Sequence, residues 1–303
     1  MKNRFVAACM GLLAAITTPL ATAADVPSVV ANAKATGVVT LGVRSASGAL
    51  SYAQGDGKFG GFHVDICLRI VEDLEKVVGR KLEVRYQPVN LQTRVPVLNS
   101  GRADLICGSA TNSVARQKEA AFLNTVFVEE VRIAVKANSG IRNIVQLHGK
   151  TVASTTGTTA VQHLRRHERG IGVKFQELYG GDHDESFAML ASGKADAFLM
   201  DRAILAAHIA SSADPSAYRL LDEQLSVEPI GIMIRRNDTA IKKLGDETIA
   251  RLVASGEIAK LYEKWFLRPI PPRGVVVGLP LNEMTKAAWA NLNDKPMEEY
   301  RRR

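Results

Sequence analysis

Two hydroxyls and a guanidinium follow one predicted strand at short spacing. Ser109 and Thr111 come directly after a buried strand predicted over 103–108, and Arg116 stands five residues beyond Thr111. Strand-end hydroxyls, backbone N–H groups and a guanidinium can share one carboxylate, because the guanidinium donates two parallel hydrogen bonds to its two oxygens. The spacing therefore predicts a site for a carboxylate.

A carboxylate follows a second predicted strand, over 195–200. Asp201 stands at its end, where it would neutralise an ammonium group. Two further guanidiniums lie at analogous edges, since Arg44 ends a strand predicted over 38–44 and Arg94 begins a short predicted helix. Three guanidiniums around one neutral amino acid would leave buried charge unpaired, which is costly. The set indicates an amino acid with an acidic side chain, and a surface ion pair is the alternative for Arg44 and Arg94 individually.

A hydroxyl-rich turn offers further donors. Residues 154–159 read Ser-Thr-Thr-Gly-Thr-Thr between a predicted strand and a predicted helix, and they include Thr155 and Thr158. The N–H groups of such a turn favour an anion, although ordinary helix capping explains the same composition. His183 is a further candidate donor.

No pattern of catalytic or metal-binding residues stands out. The nucleophile elbow, the zinc-protease helix motif and the phosphate-binding glycine loop are missing from the sequence. His163 and His167 have helical spacing among arginines, which favours a solvated helix face. The acidic run at 182–185 precedes a predicted helix, where such residues act as caps. The sequence therefore predicts no catalytic residue, metal or cofactor.

The elements that position these residues come from a repeated unit. Residues 98–106 and 190–198 both read L-x-S-G-basic-A-D-x-apolar. Each copy predicts a helix end, a left-handed glycine and a buried strand, which is half of a βαβ unit. Each lobe is thus predicted to hold a parallel sheet, and ligands bind outside the carboxyl ends of such strands.

Two long strands predicted over 126–135 and 230–235 cross between the lobes. They divide the chain into a first lobe at 24–130, a second lobe at 131–229, and a return to the first lobe at 230–303 that ends in a C-terminal wrap. Two crossing strands around an inserted lobe make a natural hinge, because few residues must change conformation to rotate one lobe on the other.

The N-terminus predicts export. Residues 1–23 combine a basic start, an apolar run and a small-x-small cleavage site, which is typical of a secretory signal peptide. A lipid-acylated Cys9 is the weaker alternative. Loss of Lys2 and Arg4 lowers the formal net charge from +8 to +6, spread without a dense basic run, so nucleic acid is not a predicted partner. The chain has no other segment apolar enough to span a membrane.

Two cysteines, Cys67 and Cys107, remain after cleavage. An even pair in an exported chain suggests a disulfide, and two buried free thiols are the alternative.

Taken together, these residues resemble family 3 of the solute-binding proteins of ABC importers, most closely its periplasmic glutamate/aspartate-binding members. The resemblance covers nearly the whole mature chain. It rests on the segments at 41–44, 92–98, 107–112 with Arg116, 155–159, 182–183, 200–201 and 265–272.

The resemblance implies an α/β fold of the two-lobed, type II periplasmic-binding-protein class, with two parallel-dominated sheets joined by a two-strand hinge. It also implies capture of L-glutamate or L-aspartate in the periplasm by a monomer that delivers the ligand to a membrane permease. The alternatives are an exported dehydratase that acts on a dicarboxylate such as arogenate or prephenate, and a binder of another polar amino acid such as glutamine.

The resemblance further implies roles for the candidate residues. By this resemblance, the α-carboxylate is bound by Arg116, Ser109 and Thr111, and the α-ammonium by Asp201. The acidic side chain and the remaining polar edges of the ligand are bound by the others, namely Arg44, Arg94, Thr155, Thr158 and His183. Two departures stand out: Leu91 replaces a residue that is often polar, and Ile232 stands where relatives can carry the cysteine that pairs with the strand-end cysteine.

Overall fold

The computed structural model of the chain describes residues 26–300. The predicted signal peptide at 1–23, Cys9, and the arginines at 301–303 lie outside the described residues. The expectations for those segments therefore stay predictions.

Strands and helices alternate along the described chain. The strands are β1 (Val38–Val43), β2 (Ala46–Ser47), β3 (Ser51–Gly55), β4 (Lys58–Gly60), β5 (Glu83–Pro88), β6 (Leu105–Thr111), β7 (Ala121–Phe122), β8 (Phe127–Lys136), β9 (Thr151–Thr155), β10 (Gln176–Gly180), β11 (Ala197–Asp201), β12 (Tyr218–Leu220) and β13 (Ser226–Ile234). The helices are α1 (Val29–Thr36), α2 (Phe62–Val78), α3 (Arg94–Asn99), α4 (Val114–Gln117), α5 (Thr159–Ile171), α6 (His183–Ser192), α7 (Arg202–Ala210), α8 (Thr239–Ala254), α9 (Glu257–Tyr262) and α10 (Glu283–Ala290).

The main sheet contains two groups of parallel strands. Its order is β10-β9-β11-β8-β13-β6-β1-β5, with β12 and β7 paired at its sides. Strands β5, β1 and β6 are parallel at one end, and this group with its helices is called the first half. Strands β10, β9 and β11 are parallel at the other end and form the second half. The predicted α/β fold with parallel-dominated sheets is confirmed.

The long strands β8 and β13 connect the two halves. Strand β8 pairs with β13 over 127–131 and with β11 over 131–135, in both cases antiparallel. Strand β13 then continues along β6. Hydrogen bonding is thus continuous from one half to the other. Apolar packing is separate, because one buried cluster draws only on residues 131–225 while another draws mainly on the segments before and after them.

Strand β13 begins four residues earlier than its predicted start at residue 230. The polar stretch at its start breaks the apolar pattern and suggests a loop. In the structure, Glu228 and Pro229 pair with β8, and Glu228 is fully buried. A buried charged side chain that bonds other polar groups leaves no apolar signal in the sequence.

The repeated pattern ends in an aspartate that fastens the neighbouring strand in each half. Asp104 donates its N–H to the carbonyl of Thr40 at 2.7 Å and accepts the N–H of Thr40 at 2.8 Å. Asp196 makes the same two bonds to Thr151, at 2.8 and 2.9 Å. The preceding Gly101 is left-handed, with φ of 74°. Each copy of the pattern therefore fixes the register of the strand beside it, β1 in the first half and β9 in the second, through the same pair of hydrogen bonds.

We expect the hydrogen bonds of Asp104 and of Asp196 to contribute differently to the stability of the protein, because the two aspartates differ in burial. Asp104 is 3% exposed, whereas the Asp196 side chain is 40% exposed. Asp104→Ala should lower the free energy of unfolding by about 2–3 kcal/mol and Asp196→Ala by about 1 kcal/mol, since water replaces the lost acceptor only at the exposed position. Urea unfolding measures both values. Equal losses would contradict the role given to burial.

Two further features tie the first half together. A disulfide joins Cys67 on α2 to Cys107 on β6 across 40 residues, so the pair is bonded rather than free. The segment after residue 280, which holds the short predicted helix α10, wraps back onto the start of β8. There Trp289 donates its indole N–H to the carbonyl of Val126 at 2.8 Å, and Thr285 accepts the N–H of Val128 at 3.0 Å.

Within residues 26–300, no helix has both the length and the apolar character needed to cross a membrane.

Candidate functional site

The carboxyl ends of the parallel strands of the two halves meet across β8 and β13. Arg44 follows β1, Thr111 ends β6, Thr155 ends β9 and Asp201 ends β11. All nine candidate residues lie in the described chain, and all except the half-buried Arg116 are buried: Arg44, Arg94, Ser109, Thr111, Thr155, Thr158, His183 and Asp201.

Arg44 joins the two halves. Its Nη2 lies 2.5 Å from Oδ1 of Asp182, the N-terminal cap of α6 in the second half. It also donates to the carbonyl of Val89 and to Oγ of Ser47, each at 3.2 Å. Burial lowers the pKa of Arg44, and Asp182 opposes that effect. The alternative of a surface ion pair is therefore half right, because the ion pair exists but its arginine is buried.

Arg94 is buried without a bonded counterion. It is 3% exposed, and within residues 26–300 no salt bridge reaches its guanidinium; the Asp201 carboxylate acts on it only at a distance. Burial, followed by the charges of Arg116 and Arg44, places its pKa well below the usual value, and Asp201 opposes the fall. A buried charge without a partner is unfavourable, so an anion brought to Arg94 would be bound strongly.

Arg116 also bridges the halves. Its Nη1 donates to the carbonyl of Thr111 at 2.9 Å and its Nη2 to the carbonyl of Gly157 at 3.3 Å. The two strand-end hydroxyls donate elsewhere: Thr111 to Oε2 of Glu228 at 2.7 Å, and Ser109 to Oγ of Ser47 at 2.9 Å. The hydroxyl protons of Thr111 and Ser109 are therefore directed to other oxygens, while Arg116 lies beside the end of β6.

Asp201 has a free oxygen. It is 2% exposed, and its Oδ1 has no hydrogen-bond partner within the described chain. Burial, followed by the neighbouring carboxylates of Glu228 and Glu129, raises its pKa well above the usual range, and Arg116 and Arg94 oppose the rise. A cation that donates to this oxygen would relieve the unfavourable burial.

The hydroxyl-rich turn packs against His183. Oγ1 of Thr155 lies 2.9 Å from Nδ1 of His183 and 2.8 Å from Oγ of Ser186. Thr158 occupies the cap position of α5 but makes no capping bond, because its hydroxyl donates to the carbonyl of Thr155 at 2.7 Å. Side-chain capping therefore does not account for Thr158. Burial first, then Arg44, lowers the pKa of His183 well below its usual value, so the imidazole is neutral.

Sequence reasoning missed a buried carboxylate that bonds both halves. Oε2 of Glu228 accepts the hydroxyls of Thr111 and Thr159, each at 2.7 Å. Its Oε1 lies 2.8 Å from Nε2 of His163. The expected solvated helix face is wrong for His163, which is 3% exposed, because Glu228 gives its ring a buried partner. The sequence signal that could have revealed Glu228 is a glutamate within a run of residues that favour a β-strand.

Glu129 was missed in the same way. It lies directly opposite Glu228 on the paired strands and is also fully buried. The residues that the structure describes contain no group of three or more His, Cys, Asp or Glu side chains placed to hold a metal ion. The arrangement brings buried positive and negative groups from two halves to one place, which suits a ligand carrying both signs of charge.

Three comparisons place this geometry among known proteins. Residues 39–268 match the model of bacterial extracellular solute-binding proteins, family 3. The chain is 36% identical to an L-glutamate/L-aspartate-binding protein of Pseudomonas aeruginosa, over 95% of this chain and 96% of that one. It is 37% identical to a glutamate/aspartate import solute-binding protein of Escherichia coli, over 86% and 87%. A crystal structure of a T. maritima ArgBP mutant superposes with a TM-score of 0.69 at 25% identity, covering 78% of this chain and 98% of that one.

Proposed function

Because the chain belongs to family 3 of the bacterial extracellular solute-binding proteins, we propose that it captures an acidic L-amino acid, glutamate or aspartate, for an ABC importer. The buried, unpaired guanidinium of Arg94 carries the proposal. Arg44 pairs with Asp182, and Arg116 lies near the carboxylates of Glu228 and Asp201, whereas Arg94 has no bonded counterion. A second ligand carboxylate would supply one, whereas the side chain of a neutral amino acid would not.

The charges suggest how such a ligand lies. Its α-carboxylate meets Arg116 and the backbone at Ser109 and Thr111, and its α-ammonium meets the free oxygen of Asp201. The side-chain carboxylate meets Arg94 and the edge of Arg44. The polar groups of the second half complete the enclosure: Thr155, Thr158 and His183.

Capture proceeds by closure of two lobes. We place the lobes at 24–130 and 131–229, with 230–303 returning to the first, and the hinge in β8 and β13. Arg44 with Asp182, and Arg116 with the carbonyl of Gly157, join residues of the two lobes and support this closure. The protein is exported to the periplasm after loss of residues 1–23, acts as a monomer, and hands its ligand to a membrane permease.

Calorimetric titration of the ligand-stripped mature protein tests this function. L-glutamate and L-aspartate should bind with Kd between about 10 nM and 1 µM, and L-glutamine and L-arginine at least about 100-fold more weakly, because only an acidic side chain pairs Arg94. Preferential binding of L-glutamine would retain a role in transport but contradict the assignment of Arg94 and Arg44.

The rival activity is a dehydratase on the same scaffold. Incubation with prephenate or arogenate should leave either acid unchanged, since the relatives at 36–37% identity are named for binding and import. Turnover of either acid, without binding of amino acids, would show that the protein is a dehydratase and does not have the proposed function.

A further inference from the structure

Helix α7 begins directly after Asp201, yet Asp201 does not cap it. Asp201 occupies the N-cap position and its side chain makes no capping bond. An aspartate at this position ordinarily accepts the N–H of the second or third helical residue. One oxygen of Asp201 instead has no partner within the described chain. Another group must therefore satisfy the start of the helix.

That group is Glu129 on strand β8. Its Oε2 accepts the N–H of Ala203, the second residue of α7, at 3.0 Å. Its Oε1 accepts the N–H of Glu130 at 2.9 Å and lies 3.4 Å from Nε of Arg202. Glu129 is fully buried, so water does not supply these bonds in its place.

We propose that Glu129 is a positioning residue which caps α7 in place of Asp201 and so keeps the Asp201 carboxylate free for the ammonium group of the ligand. The inference rests on the proposed function, because it deepens the role given there to Asp201. Without Glu129, the N–H of Ala203 would lack an acceptor, and the adjacent Asp201 is the acceptor that can turn to it. The turn would withdraw Asp201 from the ligand.

The sheet gives Glu129 a counterpart. Glu228 lies directly opposite on β13 and accepts hydroxyls from Thr111 of the first half and Thr159 of the second. Both connecting strands thus place a buried carboxylate beneath the site. Glu228 holds the elements around Arg116, and Glu129 holds the start of the helix that follows Asp201.

The test compares two ligands that differ only in the ammonium group. L-glutamate carries it and glutarate does not. Glu129→Met removes both acceptor oxygens at similar volume. We expect its affinity for L-glutamate to fall about 30-fold, the scale of one charge-assisted hydrogen bond, while its affinity for glutarate changes less than about threefold. Glu129→Gln, which retains one acceptor oxygen, should change the ratio in the same direction by about fivefold.

Glu130→Gln is the matched control. Glu130 is the next residue on β8, and it pairs with Arg132 at 2.6 Å rather than with α7. It should leave the glutamate-to-glutarate ratio unchanged. If Glu129→Met does not fold, the ratio of affinities for L-glutamate and glutarate in Glu129→Gln tests the inference instead.

Equal losses for both ligands would overturn the inference, because they indicate general damage to the site. Tighter glutamate binding would also overturn it, since the loss of a residue that keeps Asp201 free cannot strengthen the bond between Asp201 and the ammonium group. Binding of neither ligand by the unaltered protein would instead reject the proposed function.

Discussion

Arg94→Met should weaken L-glutamate binding by more than about 100-fold. The guanidinium is 3% exposed and forms no salt bridge within residues 26–300, so removing it leaves a ligand carboxylate buried without a partner. Calorimetric titration measures the loss of affinity.

Arg102→Met is the matched control, because Arg102 is exposed and, within residues 26–300, its side chain bonds only Ser100. It should leave the affinity unchanged. L-glutamine should lose much less affinity than L-glutamate in the Arg94 variant, since its amide carries no charge. Equal losses for both ligands would contradict the role assigned to Arg94.

His63→Asn should make the protein less sensitive to acid. His63 is fully buried, its Nδ1 lies 2.5 Å from the carbonyl of Gly108, and burial lowers its pKa from 6.5 to about 4. Between pH 6.5 and pH 4 the unfolded chain binds a proton that the folded protein does not, so stability falls as the pH falls. Over 2.5 pH units this loss amounts to about 3 kcal/mol, and an asparagine at the same place does not titrate.

The measurement is the difference in free energy of unfolding between the two proteins, followed from pH 7 to pH 4. Comparing the two proteins removes the contribution of Glu129. Burial raises the pKa of Glu129 to about 7, so this residue makes both proteins more stable as the pH falls, which opposes the effect of His63. His148→Asn, at an exposed histidine, is the matched control. A difference that stays constant with pH would show that His63 is not held neutral.

Local signals predicted most of the elements. The apolar stripe over 64–78 and the glycine after it correspond to α2, which ends at the left-handed Gly79. The two glycine-aspartate copies predicted β6 and β11 at the right places. Such features depend on residues within one or two turns of each other, and a single sequence contains them directly.

Contacts between distant buried polar groups were not predictable in the same way. Arg44 and Asp182 are 138 residues apart in the chain. The bond between Glu228 and Thr111 spans 117 residues, and it appears only once β13 and β6 pair. Periodicity reads glutamates such as Glu129 and Glu228 as solvent-facing, because it scores residue type and not the partner that burial provides.

The hydrogen bonds by which Asp104 and Asp196 hold the neighbouring strands affect how such a chain can evolve. Each half sets the register of its own strands, at Thr40 and at Thr151, without help from the other. One wall of the ligand site can therefore accumulate substitutions while the opposite wall keeps its geometry. A change of solute preference could thus arise through substitutions in one half alone, without loss of strand register in the other.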